Sequence, residues 1–253
     1  MADTDTPSDA PESAPPKSFP ARLLGVFIEP GATFEDIARK PDFIAPLILL
    51  ILVSLAVVET MLAKIGMSRI MLQTLTQSGQ AARMDPAQLN QAIAKGAPIG
   101  SALVQVTAVV GAPIFLLVVA GFGLLVLNGI FGQHAGFKAV FSTTCYANMP
   151  SLVGAVMAIA VMFFADPDAF NPKIPAPTNP GFFLNPQTTS HVVMALASSL
   201  DFVILWFLVL LAIGLSRVSR KKVKTGSIFL TYFGAWILLV IVKVGFALLA
   251  GAR

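Results

Sequence analysis

Long apolar runs dominate the chain, and five are long enough to cross a bilayer: about 43 to 64, 100 to 131, 148 to 165, 192 to 216 and 227 to 250. Spanning about 30 Å of hydrocarbon takes roughly 20 apolar residues as α-helix. The runs are continuous rather than alternating, so the pattern predicts helices and not a β-barrel. The second run is too long for one upright span, and Gly111 with Pro113 predicts a kink or an interfacial arm in its first part. No fixed-period repeat is visible.

Between these runs the polar positions predict shorter pieces. "DPAQLNQAIAKG" reads as a small helix capped by Asp85, with Pro86 at its first position, Lys95 near its end and Gly96 closing it. "DPDAFNPKIPAPTNPGFFLNPQ" carries six prolines, three of them after asparagine, which predicts an irregular extramembrane loop. Phe137, Val140, Phe141 and Thr144 recur at helical spacing, predicting a surface-lying helix that turns into the membrane at Pro150.

The amino-terminal part is of another kind. Residues 1–18 hold four prolines, four acidic groups and almost nothing apolar, and they read as a disordered tail rather than a basic-then-apolar leader. Residues 19–41 follow as an amphipathic segment expected to lie along the membrane surface. Within it, "TFEDIARKP" offers Thr33 as an N-cap, Arg39 and Lys40 in the last turn, Pro41 as a stop, and Phe34, Ile37 and Ala38 on one face. Residues 42–253 then form the membrane domain. The expected fold is an all-α membrane protein, a five-transmembrane-helix bundle with short interfacial amphipathic helices.

Composition agrees with the pattern: 56% of the 253 residues are hydrophobic and 12% charged, too few charged groups to cover a water-facing surface. Cys145 stands alone, so there is no intramolecular disulfide framework, and His134 and His191 are far apart in sequence. Neither a glycine-rich phosphate loop nor a nucleophile with a neighbouring base is recognisable, so the sequence points to no enzyme, no cofactor and no nucleic acid.

Basic residues set the expected orientation. Lys17, Arg22, Arg39, Lys40 and Lys138, with Arg217, Arg220, Lys221, Lys222 and Lys224, put ten on one side. Lys64, Arg69, Arg83, Lys95, Lys173 and Arg253 put six on the other. The positive-inside rule then places the amino terminus in the cytoplasm and the carboxyl terminus outside, in the cell membrane if the chain is bacterial. The 217–224 loop carries two readings: an orientation signal alone, or also a surface for anionic lipid heads or a protein partner.

Three charges fall inside the spans: Glu59, Asp201 and Lys243. Each lies a few residues outward of its span's midpoint, at similar depth. Small neighbours (Ala56 and Ala63, Ser198, Ala247 and Ala250) suit an interior face. Because an unpaired charge in hydrocarbon is costly, the expectation is a cluster in which Lys243 pairs with Asp201, Glu59 or both, unless Glu59 or Lys243 reaches the outer interface.

Two short stretches carry a resemblance. "DFIAP", Asp42 to Pro46, opens the first span and "CYANMP", Cys145 to Pro150, opens the third. In order and position they resemble the signatures Asp-Leu-x-Gly-Pro and Gly-Tyr-x-x-x-Pro of the Yip family of Ypt/Rab-interacting protein-like membrane proteins. Asp42, Pro46, Tyr146 and Pro150 match, whereas Phe43, Ala45 and Cys145 depart from the pattern. The resemblance implies five spans, a cytoplasmic amino terminus and a non-enzymatic scaffold or adaptor. Eukaryotic relatives bind small GTPases, but this chain looks more like the bacterial type, to which no such role is assigned. A small ion- or proton-coupled transporter or channel using Glu59, Asp201 and Lys243, with the Gly111/Pro113 break as hinge, is the alternative. The partner is unnamed in either reading, and an oligomer is possible.

Overall fold

The computed structural model describes residues 15–166 and 170–251, so most of the expected 1–18 tail and the terminal Arg253 lie outside the described residues. Among these residues every regular element is helical. The chain begins with α1 (Phe19–Ile28) and α2 (Pro30–Arg39), which form a cap at one end of a bundle. Five passes follow: α3 (Ile44–Lys64), then after α4 (Met67–Gln77) the long α5 (Pro86–Leu124), then α6 (Phe137–Ala147) with α7 (Pro150–Phe164), then α8 (His191–Ala197) with α9 (Phe202–Val218), and last α10 (Thr225–Gly251). Four of these passes are long and apolar enough to cross a membrane, and the bent α8–α9 pair supplies a fifth. The exterior is apolar as well: Leu52 is 58% exposed, Val118 66% and Leu239 67%. A belt of this kind is stable against lipid and not against water.

The cap differs from the expected surface segment. Pro30 starts α2, since its fixed φ and missing N–H suit a first helical position, and Thr33 is buried inside the helix rather than capping it. Its side chain sits where a Cβ on Gly25 would be, so glycine lets α1 and α2 meet closely. Phe34 and Ile37 are fully buried, but their face is set against the protein: α2 packs on α9 and α6. The three helices converge at Gly214, where an added Cβ would collide with Thr143 of α6 and lie 2.8 Å from the Phe34 ring.

The predicted surface-lying helix is likewise interior. Every residue from Val140 to Ala147 of α6 is buried, which for a helix means neighbours all round, here α2, α5 and α9. Small hydroxyl residues in "VFSTTCYA" allow that approach, and Thr144 Oγ1 satisfies itself by donating to the Val140 carbonyl at 2.9 Å.

Asp85 caps α5 as expected, accepting from Gln88 N at 2.8 Å in a reciprocal capping box. Gly96 does not end that helix, and Gly111 with Pro113 does not break it: α5 runs on to Leu124 and continues as a π-helical segment to Ile130. At about 1.5 Å per residue this pass far exceeds the hydrocarbon thickness, and its first turns stand beside α4. There Gly96 and Gly100 form a seat for Met71 and Met67.

The fourth pass, expected as one run, is broken between Ala197 and Phe202 and bent by 42°. Local hydrogen bonding explains the break. Ser198 and Ser199 donate back to the carbonyls of Met194 and Ala195, both at 2.7 Å, and Asp201 starts a new helix by accepting from Val203 N and Ile204 N. The proline-rich segment before it is irregular, as expected, but folds into the bundle end: Ile174, Ala176, Thr178 and Asn179 are buried, and the Phe202 N–H donates to the Thr178 carbonyl.

Candidate functional site

Side chains with chemistry gather at the two ends of the bundle. At the capped end three of the four signature residues, Asp42, Pro46 and Pro150, bring the chain into its helices, and the fourth, Tyr146, fills the core. The Asp42 carboxylate accepts from Ile44 N at 3.1 Å, closing a turn before α3, and Phe43 meets the Phe141 ring edge-on at 5.1 Å. Pro46 is buried in the first turn of α3, where its missing N–H costs little, and Pro150 is the first residue of α7, also buried. Tyr146 is fully buried, 6.3 Å from the Phe19 ring, and its hydroxyl has no hydrogen-bond partner among the described residues. Cys145 beside it is equally enclosed.

Next to this cluster lies an ion pair that the sequence reading did not anticipate. Arg22 Nε donates to Asp36 Oδ2 at 2.8 Å, with both side chains only 4% exposed. Asp36 also accepts from the Lys17 N–H at 3.2 Å and lies 3.6 Å from the Arg39 guanidinium. The available signal was Arg22 as the one charge in "FPARLLGVFI", four residues before the buried Val26 on the same face.

Glu35, on the outer side of α2, ties the cap to the basic loop. Its Oε2 lies 3.7 Å from Arg217 and 3.5 Å from Lys221. The loop is a built turn: Ser216 Oγ donates to the Val223 carbonyl at 2.7 Å and Ser219 Oγ accepts from Val223 N at 3.2 Å. Arg220 and Lys221 are held in the left-handed region, with φ of 53° and 62°. Arg220, Lys222 and Lys224 project into solvent with no carboxylate in ion-pair distance among the described residues. A cavity of about 960 Å³ opens here between Arg39, His134, Arg217, Arg220, Lys221 and Lys222, with Glu35 as the acidic group in its wall. Its field is positive, so it attracts anions.

At the opposite end the structure separates the three intramembrane charges. Glu59 lies on the α3–α5 face and accepts from Gln105 Nε2 at 2.7 Å. Lys243 donates to Ser198 Oγ at 2.9 Å and Ser199 Oγ at 3.0 Å, the hydroxyls at the α8–α9 break, instead of to a carboxylate. Asp201 caps α9 through Oδ1 while Oδ2 accepts from Thr178 Oγ1 at 2.5 Å and Asn179 Nδ2 at 3.1 Å. The expected ion pairs are thus replaced by neutral hydrogen-bond partners, because Asp201 stands at a helix start whose free N–H groups claim its carboxylate. Lys243 and Asp201 nevertheless line one chamber of about 980 Å³, and Glu59 does not.

The profile of the Yip1 domain matches residues 24–244, from within α1 to within α10, so the signatures, the basic loop and the chamber all fall inside it. No curated protein and no solved structure matches the chain.

Proposed function

We propose that this chain, which belongs to the Yip1 domain family, is a non-enzymatic multi-pass membrane scaffold or adaptor that works through the capped end of its bundle, on the cytoplasmic side. The observation that carries this reading is the fixing of the cap. The buried Arg22–Asp36 pair and the Glu35 bridge to Arg217 and Lys221 hold α1, α2 and the 217–224 turn as one surface. A preformed face loses little freedom when it docks. Its free cations, Arg220, Lys222 and Lys224, suit anionic lipid heads and an acidic protein surface, each basic residue contributing on the order of 1 kcal/mol against such a membrane. The excess of lysine and arginine at this end supports the cytoplasmic placement.

Tyr146 is enclosed, so this reading gives the signature residues a folding role and leaves docking to the basic surface. The reading is tested by placing a photo-crosslinking residue at Lys222 or, at the far end, at Gln187. A stoichiometric adduct from Lys222 alone, lost when Arg220 and Lys224 are changed to Glu, supports it. An adduct that survives the charge reversal, or none from Lys222, refutes it.

A further inference from the structure

The chamber, whose lining runs from Asn148 and Ser151 at the start of α7 to Lys173 and Pro186 at the uncapped end, contains polar groups that its own walls leave incompletely matched. Lys243 has three N–H donors and places them among neutral oxygens: Ser198 and Ser199 accept from it, and both serine hydroxyls spend their own protons on helix carbonyls. Among the described residues no carboxylate lies in ion-pair distance of this ammonium. Asn179 also lines the chamber and is 9% exposed, and its Oδ1 is buried without a partner although its Nδ2 donates to Asp201. A buried amide oxygen of this kind is rare unless something donates to it. The site therefore offers Lys243 without a carboxylate partner, Lys173 and His191 as further basic groups in its lining, and an orphan acceptor beside the Asp201 carboxylate.

The walls identify the source of a complementary molecule. Val53, Val57 and Val58 of α3 and Phe246 and Ala247 of α10 are apolar, and Phe246 is 69% exposed on the outer face of the bundle. The chamber thus continues from its polar end onto a surface that faces hydrocarbon. A ligand that fits has an anionic group for Lys243, N–H donors for Asn179 and Asp201, and an apolar remainder that leaves past Phe246. A volume of about 980 Å³ admits a phospholipid head and the beginning of its tails.

We propose that this chamber binds one phospholipid with a primary-ammonium head, of the phosphatidylethanolamine class, its phosphate against Lys243 Nζ and its ammonium toward Asn179 Oδ1 and Asp201. A choline head cannot replace it, because a quaternary ammonium has no N–H to give. A glycerol head supplies hydroxyl donors but no positive charge for the Asp201 carboxylate. Asp201 stands at the opposite end of α9 from the 217–224 turn, and the proposal does not rest on the scaffold reading.

Native mass spectrometry of the full chain in mild detergent tests it, with phosphatidylethanolamine, phosphatidylcholine and phosphatidylglycerol supplied in equal amounts. The expected result is one retained phosphatidylethanolamine per chain, favoured over phosphatidylcholine by about tenfold or more. Lys243→Gln removes the adduct, and Lys95→Gln, on the exposed side of α5, keeps it. Asp201→Asn retains the helix cap and lowers the preference for the ethanolamine head, which keeps the test informative if Lys243→Gln fails to fold. Equal retention of phosphatidylcholine, preference for phosphatidylglycerol, no adduct, or an adduct unchanged in a folded Lys243→Gln protein overturns the proposal. Retention of soluble phosphoethanolamine as tightly as the whole lipid overturns its assignment to a lipid.

Discussion

Arg22 and Asp36, fourteen residues apart, form a nearly solvent-free ion pair at 2.8 Å between α1 and α2. Taking two charges out of water is costly, and removing one partner leaves the other buried and unpaired. Arg22→Leu or Asp36→Leu alone is expected to lower stability by about 3–5 kcal/mol. The double substitution is expected to lose clearly less than the sum, because it leaves no orphan charge. Thermal unfolding of the four proteins in detergent measures the cycle.

Close approach at Gly214 gives a second expectation. Gly214→Ala forces Thr143 and Phe34 apart where α2, α6 and α9 meet, and overpacking of this kind costs about 1–3 kcal/mol. Gly226→Ala, in the first turn of α10 with nothing within 4 Å of the added Cβ, is expected to be neutral or slightly stabilising. The same unfolding measurement separates them. An equal effect at both positions would mean that the three helices do not meet as described.

The break in the fourth pass depends on Asp201. Asp201→Ala removes the cap from the Val203 and Ile204 N–H groups and the acceptor for Thr178 and Asn179, an expected loss of about 1–3 kcal/mol. Asn caps about as well as Asp, but its amide nitrogen cannot accept from Asn179, so Asp201→Asn is expected to keep the cap and lose an intermediate amount of stability. Hydrogen exchange at the start of α9 shows whether the loss is local: protection falls there in Asp201→Ala, while the amides of α3 keep theirs.

Much of the membrane fold was legible because it is written in local pattern. The run 43–64 became α3 at Ile44–Lys64, and the Asp85–Gln88 spacing became a capping box. Prolines and glycines misled where lipid and packing change their meaning. Pro113 stays within α5, since apolar surroundings leave the backbone no better partner than its own helix, and Gly96 serves a neighbour instead of a terminus. The helical period of α6 was correct, but period alone does not say whether the second side of a helix meets lipid or protein. The Arg22–Asp36 pair and the division of Lys243 from Asp201 depend on how α1 folds onto α2 and where the fourth pass breaks. No local window contains that information.

The scaffold reading needs the basic turn and the proline-rich segment on opposite sides of a membrane. The most direct measurement is labelling of single cysteines, in a Cys145→Ala background, with a membrane-impermeant maleimide applied to sealed cells and to inverted vesicles. Both Lys222 and Gln187 are exposed. A cysteine at Lys222 is expected to react only in inverted vesicles, and one at Gln187 only in intact cells. Labelling of both from the same side would contradict the five-pass threading and the cytoplasmic face built on it.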